Sequence, residues 1–342
     1  MKSFASLSLD LDNQWSYLKT HGDRGWESYP SFLDIVIPRV LRVLDERKLK
    51  ITFFIVGKDA ALEKNRAALT QIVRAGHEIG NHSFHHEPWL HLYAEEEIEA
   101  EIAQAEEAIE RALGVVPRGF RGPGFSLSKS TLRILQRRGY RYDCSTFPTY
   151  LGPLARAYYF MTAKLSEREK EERRMLFGTF AEGRRPLNPY YWLVDGETLL
   201  EIPVTTMPLF KTPIHISYLL YASMASAIGA RAYFRSALDL CRWSGTEPSI
   251  LLHPLDFLGQ DDVRDLEFFP AMGASGEEKT KRAAEFLDIL RERFQIESMT
   301  EHASRLASRQ DLPVLVPNFS HPSGSRIVRT PASSSENGRS IR

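Results

Sequence analysis

The chain has 342 residues, 43% of them hydrophobic, enough to bury a core in one large domain or two. Lysine plus arginine equals aspartate plus glutamate at 44 each, which excludes the overall basic excess of a nucleic-acid binder and any bias toward an acidic polymer. Cys144 and Cys241 stand far apart, do not make a disulfide scaffold and are expected to be reduced.

The N-terminus passes directly into a strand-like run, Phe4 to Leu11, without a basic stretch, a long apolar run or a small-residue cleavage site. No secretory signal is visible, and a cytoplasmic protein is expected. Asp10-Leu11-Asp12 closes this strand, and residues two apart face the same side, so the two carboxylates converge while Leu9 and Leu11 pack behind them. The ordinary reading is a strand-end turn with solvated acids.

A helix over Ser31 to Lys48, with Leu41 and Leu44 on its core face, leads to a strand at 51–56, a helix over Ala60 to Arg74 and a strand at 77–80. Next come His82, His85 and His86. His82 and His86 have the spacing that places two imidazoles on one face of a helical turn, where they can share a divalent ion, and Asp12 can add a carboxylate. The competing reading makes these histidines turn residues or helix caps.

The helix over Glu95 to Leu113 carries Ile98, Ile102, Ala105, Ile109 and Ala112 at helical spacing, so its glutamates read as a solvated face. Strands at 118–121 and 140–144 flank a helix over Lys129 to Arg138. Residues 151–197 interrupt the alternation with an aromatic and charged segment, either a helical lid or an elaborated surface connection. A strand at 199–204, a helix over Ser217 to Trp243, a strand at 249–253 and a helix over Gly276 to Arg293 complete the series. The apolar stretch Ile214 to Phe234 is interrupted by His215, serines and Arg231, and reads as a buried or interfacial helix rather than a membrane span. Alternating strands and helices of this kind build βα units around a parallel sheet or barrel. The domain is expected over residues 1–313, with 314–342, rich in Ser, Pro and Arg, as a disordered tail.

The chain resembles the polysaccharide deacetylases, the NodB-homology or carbohydrate esterase 4 family. The motifs occur in family order: Asp10-Leu11-Asp12, His82-Ser83-Phe84-His85-His86, Arg121-Gly122-Pro123 and Leu251-Leu252-His253. Ile51 to Gly57 and Gly76 to Asn81 look like the family's second strand and the strand entering the histidine motif. The resemblance implies an α/β fold, a distorted (β/α) barrel of seven strands, and a metal-dependent hydrolase that removes an N-acyl group, most often acetyl, from an amino sugar. It assigns Asp12, His82 and His86 as ligands of a divalent ion, zinc by preference. Asp10 becomes the base that takes a proton from water, Arg121 the residue that orients Asp10, and His253 the acid at the leaving nitrogen. Asp143 or Asp256 would orient His253, Ser83 would cap the histidine turn and His85 would bond away from the ion.

The implied partner is an N-acylated sugar or glycan precursor, with no nucleic acid and no transmembrane segment; peripheral membrane contact and oligomeric state stay open. Two departures matter. One residue separates the aspartates, as in the Asp-x-Asp subgroup that includes cyclic imidases, and the tryptophan that often lines the family's pocket has no counterpart after Tyr142 to Thr146. Hydrolysis of a cyclic imide or other non-sugar amide, and glycan binding without catalysis, are the alternatives.

Overall fold

The computed structural model describes residues 3–173, 176 and 180–319. Its central strand, β1 (Ser3–Leu11), alternates Ala5, Leu7, Leu9 and Leu11 with Ser6, Ser8 and Asp10, so its two faces differ chemically. The apolar face joins the main core with the helix α2 (Leu33–Glu46). The polar face looks inward, where Ser8 Oγ accepts from Arg121 and Ser6 Oγ meets His302.

Strands β2 (Thr52–Ile55), β3 (Glu78–Asn81), β4 (Gly119–Phe120) and β5 (Tyr142–Asp143) follow β1 in parallel. Further along come β6 (Tyr190–Val194), β7 (Glu197–Glu201), β8 (Ser249–Leu252), β9 (Phe294–Glu297) and β10 (Val314–Leu315). The order across the sheet is β10-β6-β7-β5-β4-β3-β2-β1-β8, with β9 beside the start of β1. The seven strands read from the sequence are β1–β5, β7 and β8. The assigned sheet is open between β7 and β8, but the chain leaving β7 crosses that gap: Thr205 N–H donates to Ser249 O at 2.9 Å. An α/β barrel results, joined at one seam by hydrogen bonds of a single residue rather than by a ladder.

The helices are α1 (Gln14–His21), α2, α3 (Gly57–Ala61), α4 (Glu63–Arg74), α5 (Glu95–Leu113), α6 (Lys129–Arg137), α7 (Gly152–Thr162), α8 (Glu167–Glu172), α9 (Ile216–Ala225), α10 (Ala227–Ser244), α11 (Gly276–Arg293) and α12 (Met299–Ala307). The single helix expected over 217–243 is two. Ser226 breaks it at φ −158°, and its side chain accepts from Gly229 N–H, so a serine that prefers the N-cap starts α10 afresh.

The segment 151–197 contains α7, α8 and β6. Its last part is a hairpin, since β6 pairs antiparallel with β7 around Asp195 (φ 51°) and Gly196 (φ 92°). Asp-Gly is the dipeptide that tolerates two left-handed residues in a two-residue turn, and it was the available signal for this strand. The tail expected from 314 starts instead as β10, which covers the free edge of β6, and Phe319 packs 5.7 Å from Trp192. Residues 320–342 of the expected tail lie outside the described residues.

Candidate metal centre

Parallel strands bring the sequence motifs to one end of the barrel, because each lies just past the C-terminal end of its strand. Asp12 follows β1, His82 follows β3, Arg121 follows β4 and His253 follows β8. Leu9 is paired with Leu252, so His253 stands level with Asp10 on the neighbouring strand.

Asp12, His82 and His86 are buried, and one ligand atom from each lies within 4.8 Å of the others. Asp12 Oδ1 is 2.9 Å from His86 Nε2 and 3.3 Å from His82 Nε2. His82 Nδ1 lies 2.7 Å from the carbonyl of Arg121, which can only accept, so this nitrogen carries the proton and Nε2 keeps its lone pair for an ion. Burial alone would raise the Asp12 pKa, but the charges and hydrogen bonds of His86 and His82 hold it well below the ordinary carboxylate range. An ionised carboxylate facing two imidazole nitrogens in a dry site suits a divalent cation, and the three residues fit one.

The histidines are not on a helix, contrary to the spacing argument. They occupy a loop in which Ser83 (φ 59°) and His86 (φ 50°) are left-handed, and that reversal turns His86 back toward Asp12. Glu101 of α5 holds the loop. Its Oε2 accepts from the N–H groups of Phe84 and His85, and its Oε1 is 2.6 Å from His85 Nδ1. Glu101 is 1% exposed, so the solvated reading of the α5 acids fails at this position. It sits on the inward stripe, one residue from Ile102. Ser83 does not cap the turn: its Oγ has no partner among the described residues, and Asn81 Oδ1 accepts the Ser83 N–H instead. His85 bonds away from the ion site, as expected.

Arg121 is fully buried and donates to Asp10 Oδ1 at 2.7 Å, Ser8 Oγ at 2.8 Å and the Cys144 carbonyl at 3.1 Å, with its guanidinium 4.4 Å above the Phe54 ring. Four fixed contacts aim the carboxylate beside Asp12 and keep a counter-charge within reach.

His253 is held by a residue that the sequence reading did not name. Its Nδ1 is 3.0 Å from Ser217 Oγ, at the start of α9. Asp256 accepts the His253 backbone N–H at 2.8 Å and also bonds Ser217, so it reaches the ring through that hydroxyl. Asp143 does not orient His253. It accepts from Ser145 Oγ at 2.6 Å and pairs with Glu201, burial raising the pKa of both carboxyls and their proximity raising Glu201 further. Tyr17, also missed, lies between the two halves of the site. Burial, then the charges of Asp12 and Asp256, push its phenol well above the ordinary value, so it stays a donor toward Asp12. Nothing in a lone Tyr17 or Ser217 marks either residue in the sequence.

Beside His253 opens a cavity of about 370 Å³ walled by Phe125, Phe147, Tyr218 and Phe269, and by Leu151 and Ala155 of the inserted segment. His253 is among its walls, whereas Asp12, His82 and His86 are not. The stacked pair Phe125 and Phe147, 4.7 Å apart, supplies the aromatic surface for which no tryptophan is present.

Fold and site together define an α/β barrel with a buried Asp-His-His cluster at the C-terminal ends of its strands. Residues 23–142 match the polysaccharide deacetylase family model. A peptidoglycan deacetylase of Helicobacter pylori is 31% identical over 147 residues, spanning 41% of this chain and 48% of the relative. A chitooligosaccharide deacetylase of Azorhizobium caulinodans is 35% identical over 107 residues, 31% of this chain and 50% of that one. The chain thus spans about half the length of the curated relatives it matches. Among solved structures, an allantoinase superposes with a TM-score of 0.56 at 15% identity, covering 90% of each chain, and shows the same fold. Over this part of its length the chain is similar to the polysaccharide deacetylase, or NodB-homology, family.

Proposed function

We propose that the protein is a metal-dependent hydrolase that removes an N-acyl group, most often acetyl, from an amino sugar in a glycan or glycan precursor. The observation that carries the reading is the convergence of Asp12, His82 and His86 beside an Asp10 held by a buried Arg121. Asp12, His82 and His86 would hold a divalent ion, which would polarise an acyl carbonyl and lower the pKa of a water. Two imidazoles and one carboxylate favour zinc.

The remaining steps belong to the chain's own residues. Asp10 accepts the proton of the water whose oxygen bonds the acyl carbon. Arg121 pairs with that carboxylate and directs it. His253, standing level with Asp10, gives a proton to the nitrogen as the C–N bond breaks, so the amine leaves neutral and the acyl group leaves as a carboxylate. Ser217 fixes the imidazole at Nδ1 and leaves Nε2 for the transfer. The free, buried Cys144 and Cys241 agree with a reducing, cytoplasmic setting.

The test is acetate release from soluble N-acetylglucosamine oligomers beside ring opening of cyclic imides, each with bound metal measured and with chelator added. Chelator-sensitive acetate release supports the reading. Imide opening without acetate release moves the activity to the second substrate class, and full activity in a metal-free sample rejects the mechanism.

A further inference from the structure

The cavity beside His253 has a second histidine in its wall. His215 is 5% exposed and stands immediately before α9. That position favours a serine, threonine, aspartate or asparagine whose oxygen caps the first turn, yet the His215 side chain caps nothing. Its Nδ1 is buried and has no hydrogen-bond partner among the described residues. Three rings hold the imidazole edge-on instead: Tyr218 at 4.6 Å, Phe147 at 5.5 Å and His253 at 5.8 Å between centroids. A buried polar atom left unpaired is costly, and a partner brought by a ligand removes that cost.

Other polar groups of the wall are already engaged. Ser126 Oγ accepts the His91 N–H, Ser145 Oγ donates to Asp143, Thr146 Oγ1 to Glu201 and Thr149 Oγ1 to the Lys211 carbonyl, while Arg185 is paired with Glu182. Of the buried side-chain atoms with no partner among the described residues, that of His215 alone belongs to a wall of the cavity. Burial, with the charges of His253 and Arg121, holds the His215 pKa well below its ordinary value, so the ring is neutral and has one N–H donor and one lone pair. A hydroxyl has the same two functions and can meet either tautomer. An anion would find no charge on the ring, and a purely apolar occupant would leave Nδ1 unpaired. The cavity, at about 370 Å³, falls within the range of small-molecule sites, roughly 300–1,000 Å³. A pyranose, with C–H faces for Phe147 and hydroxyls at its rim, suits both parts of this wall.

We propose that His215 is a substrate-contacting residue, whose imidazole hydrogen-bonds a hydroxyl of a sugar ring seated in the cavity against Phe147 and so selects a hydroxylated substrate. The sugar rests on the deacylase reading above; the unpaired imidazole in the wall does not. His253 keeps its place through Ser217 and Asp256, so His215 acts on binding rather than on proton transfer.

The experiment compares the zinc-loaded full chain with His215→Phe and His215→Gln, using N-acetylglucosamine trimer as the probe for calorimetric binding and for acetate release. Phenylalanine keeps a ring in the wall and removes both hydrogen-bonding functions; glutamine keeps a donor and an acceptor. His215→Phe should raise Kd and KM about tenfold, the worth of one ordinary hydrogen bond, with kcat within about threefold of the parent and equal zinc content. His215→Gln should recover part of the lost affinity. His215→Phe should also melt no lower than the parent, since it removes an unpaired buried group. The proposal is overturned if the parent does not bind the trimer, if His215→Phe binds it as well as the parent, or if kcat falls while KM is unchanged. It is overturned too if His215→Gln binds no better than His215→Phe, which would make the ring a packing element. Acetate release with an unaltered KM in His215→Phe overturns the contact and leaves the deacylase reading standing. Trimer binding that His215→Phe weakens and His215→Gln restores, with no acetate released by the parent, supports the contact and sinks the deacylase reading.

Discussion

Arg121 Nη1 lies 2.7 Å from Asp10 Oδ1, and the arginine is wholly removed from water. The pair spans β1 and β4 through the interior of the barrel, so it serves the fold as well as the site. Removing one partner leaves the other buried and uncompensated. Arg121→Met is therefore expected to cost about 3–5 kcal/mol of stability, read as a lower urea midpoint with an unchanged slope. A loss below about 1 kcal/mol would mean that Asp10 is solvated or protonated once its partner is gone.

Glu101 touches no proposed ligand, yet it holds the loop between His82 and His86 by three hydrogen bonds. Glu101→Ala should lower metal affinity about 10- to 100-fold while the far-ultraviolet dichroism stays that of the parent. Equilibrium dialysis with zinc measures it, and parental affinity would show that the left-handed Ser83 and His86 keep their places unaided.

Ser217→Ala removes the contact at His253 Nδ1 without touching the metal ligands. Metal content should be unchanged and kcat reduced about tenfold, with a displaced acidic or basic limb in the pH profile, because the ring loses its fixed orientation and tautomer. His253→Ala should be slower still at the same metal content. Equal turnover in Ser217→Ala and the parent would remove the serine from this role.

How much of this was legible in the sequence follows from the range of each interaction. The seven barrel strands were readable because each is a short apolar run between helical stretches, and Asp10, Asp12, His82, His86, Arg121 and His253 were readable because they lie in short motifs. Ser217, Tyr17 and Glu101 were not. Each acts on a motif from a different element, at a separation that only the fold sets: Ser217 on His253 across 36 positions, Glu101 on His85 across 16. The helix once assumed for the histidines failed for a related reason, since two left-handed residues can produce the same convergence as a helical turn.

Glu247 links β8 to α12 and gives a pH signature independent of the metal. Burial would raise its pKa, but hydrogen bonds from His302 and Arg305, with Arg305 Nη1 2.9 Å from both carboxylate oxygens, bring it down to about 2. A depressed carboxylate contributes stability that is present above the unfolded value of about 4.5 and is lost as pH falls toward 2. Glu247→Gln should thus destabilise the protein by about 1–2 kcal/mol at pH 7, after allowance for partial exposure, and by progressively less from pH 4.5 downward. Thermal melts at several pH values test it; a difference that grows on acidification would reverse the assignment.

The two aspartates at the end of β1 test the central claim most directly, because they are chemically alike and are given different work. Asp12 faces the two imidazoles, and Asp10 faces Arg121. Metal content and turnover are to be measured side by side in purified Asp10→Asn and Asp12→Asn. Asp12→Asn should lose metal and activity together, since a neutral amide is a poorer ligand. Asp10→Asn should keep the metal and lose most turnover, since an amide cannot take the proton from water at neutral pH. Loss of metal in Asp10→Asn with retention in Asp12→Asn would exchange the two roles, and full activity in both would contradict the account.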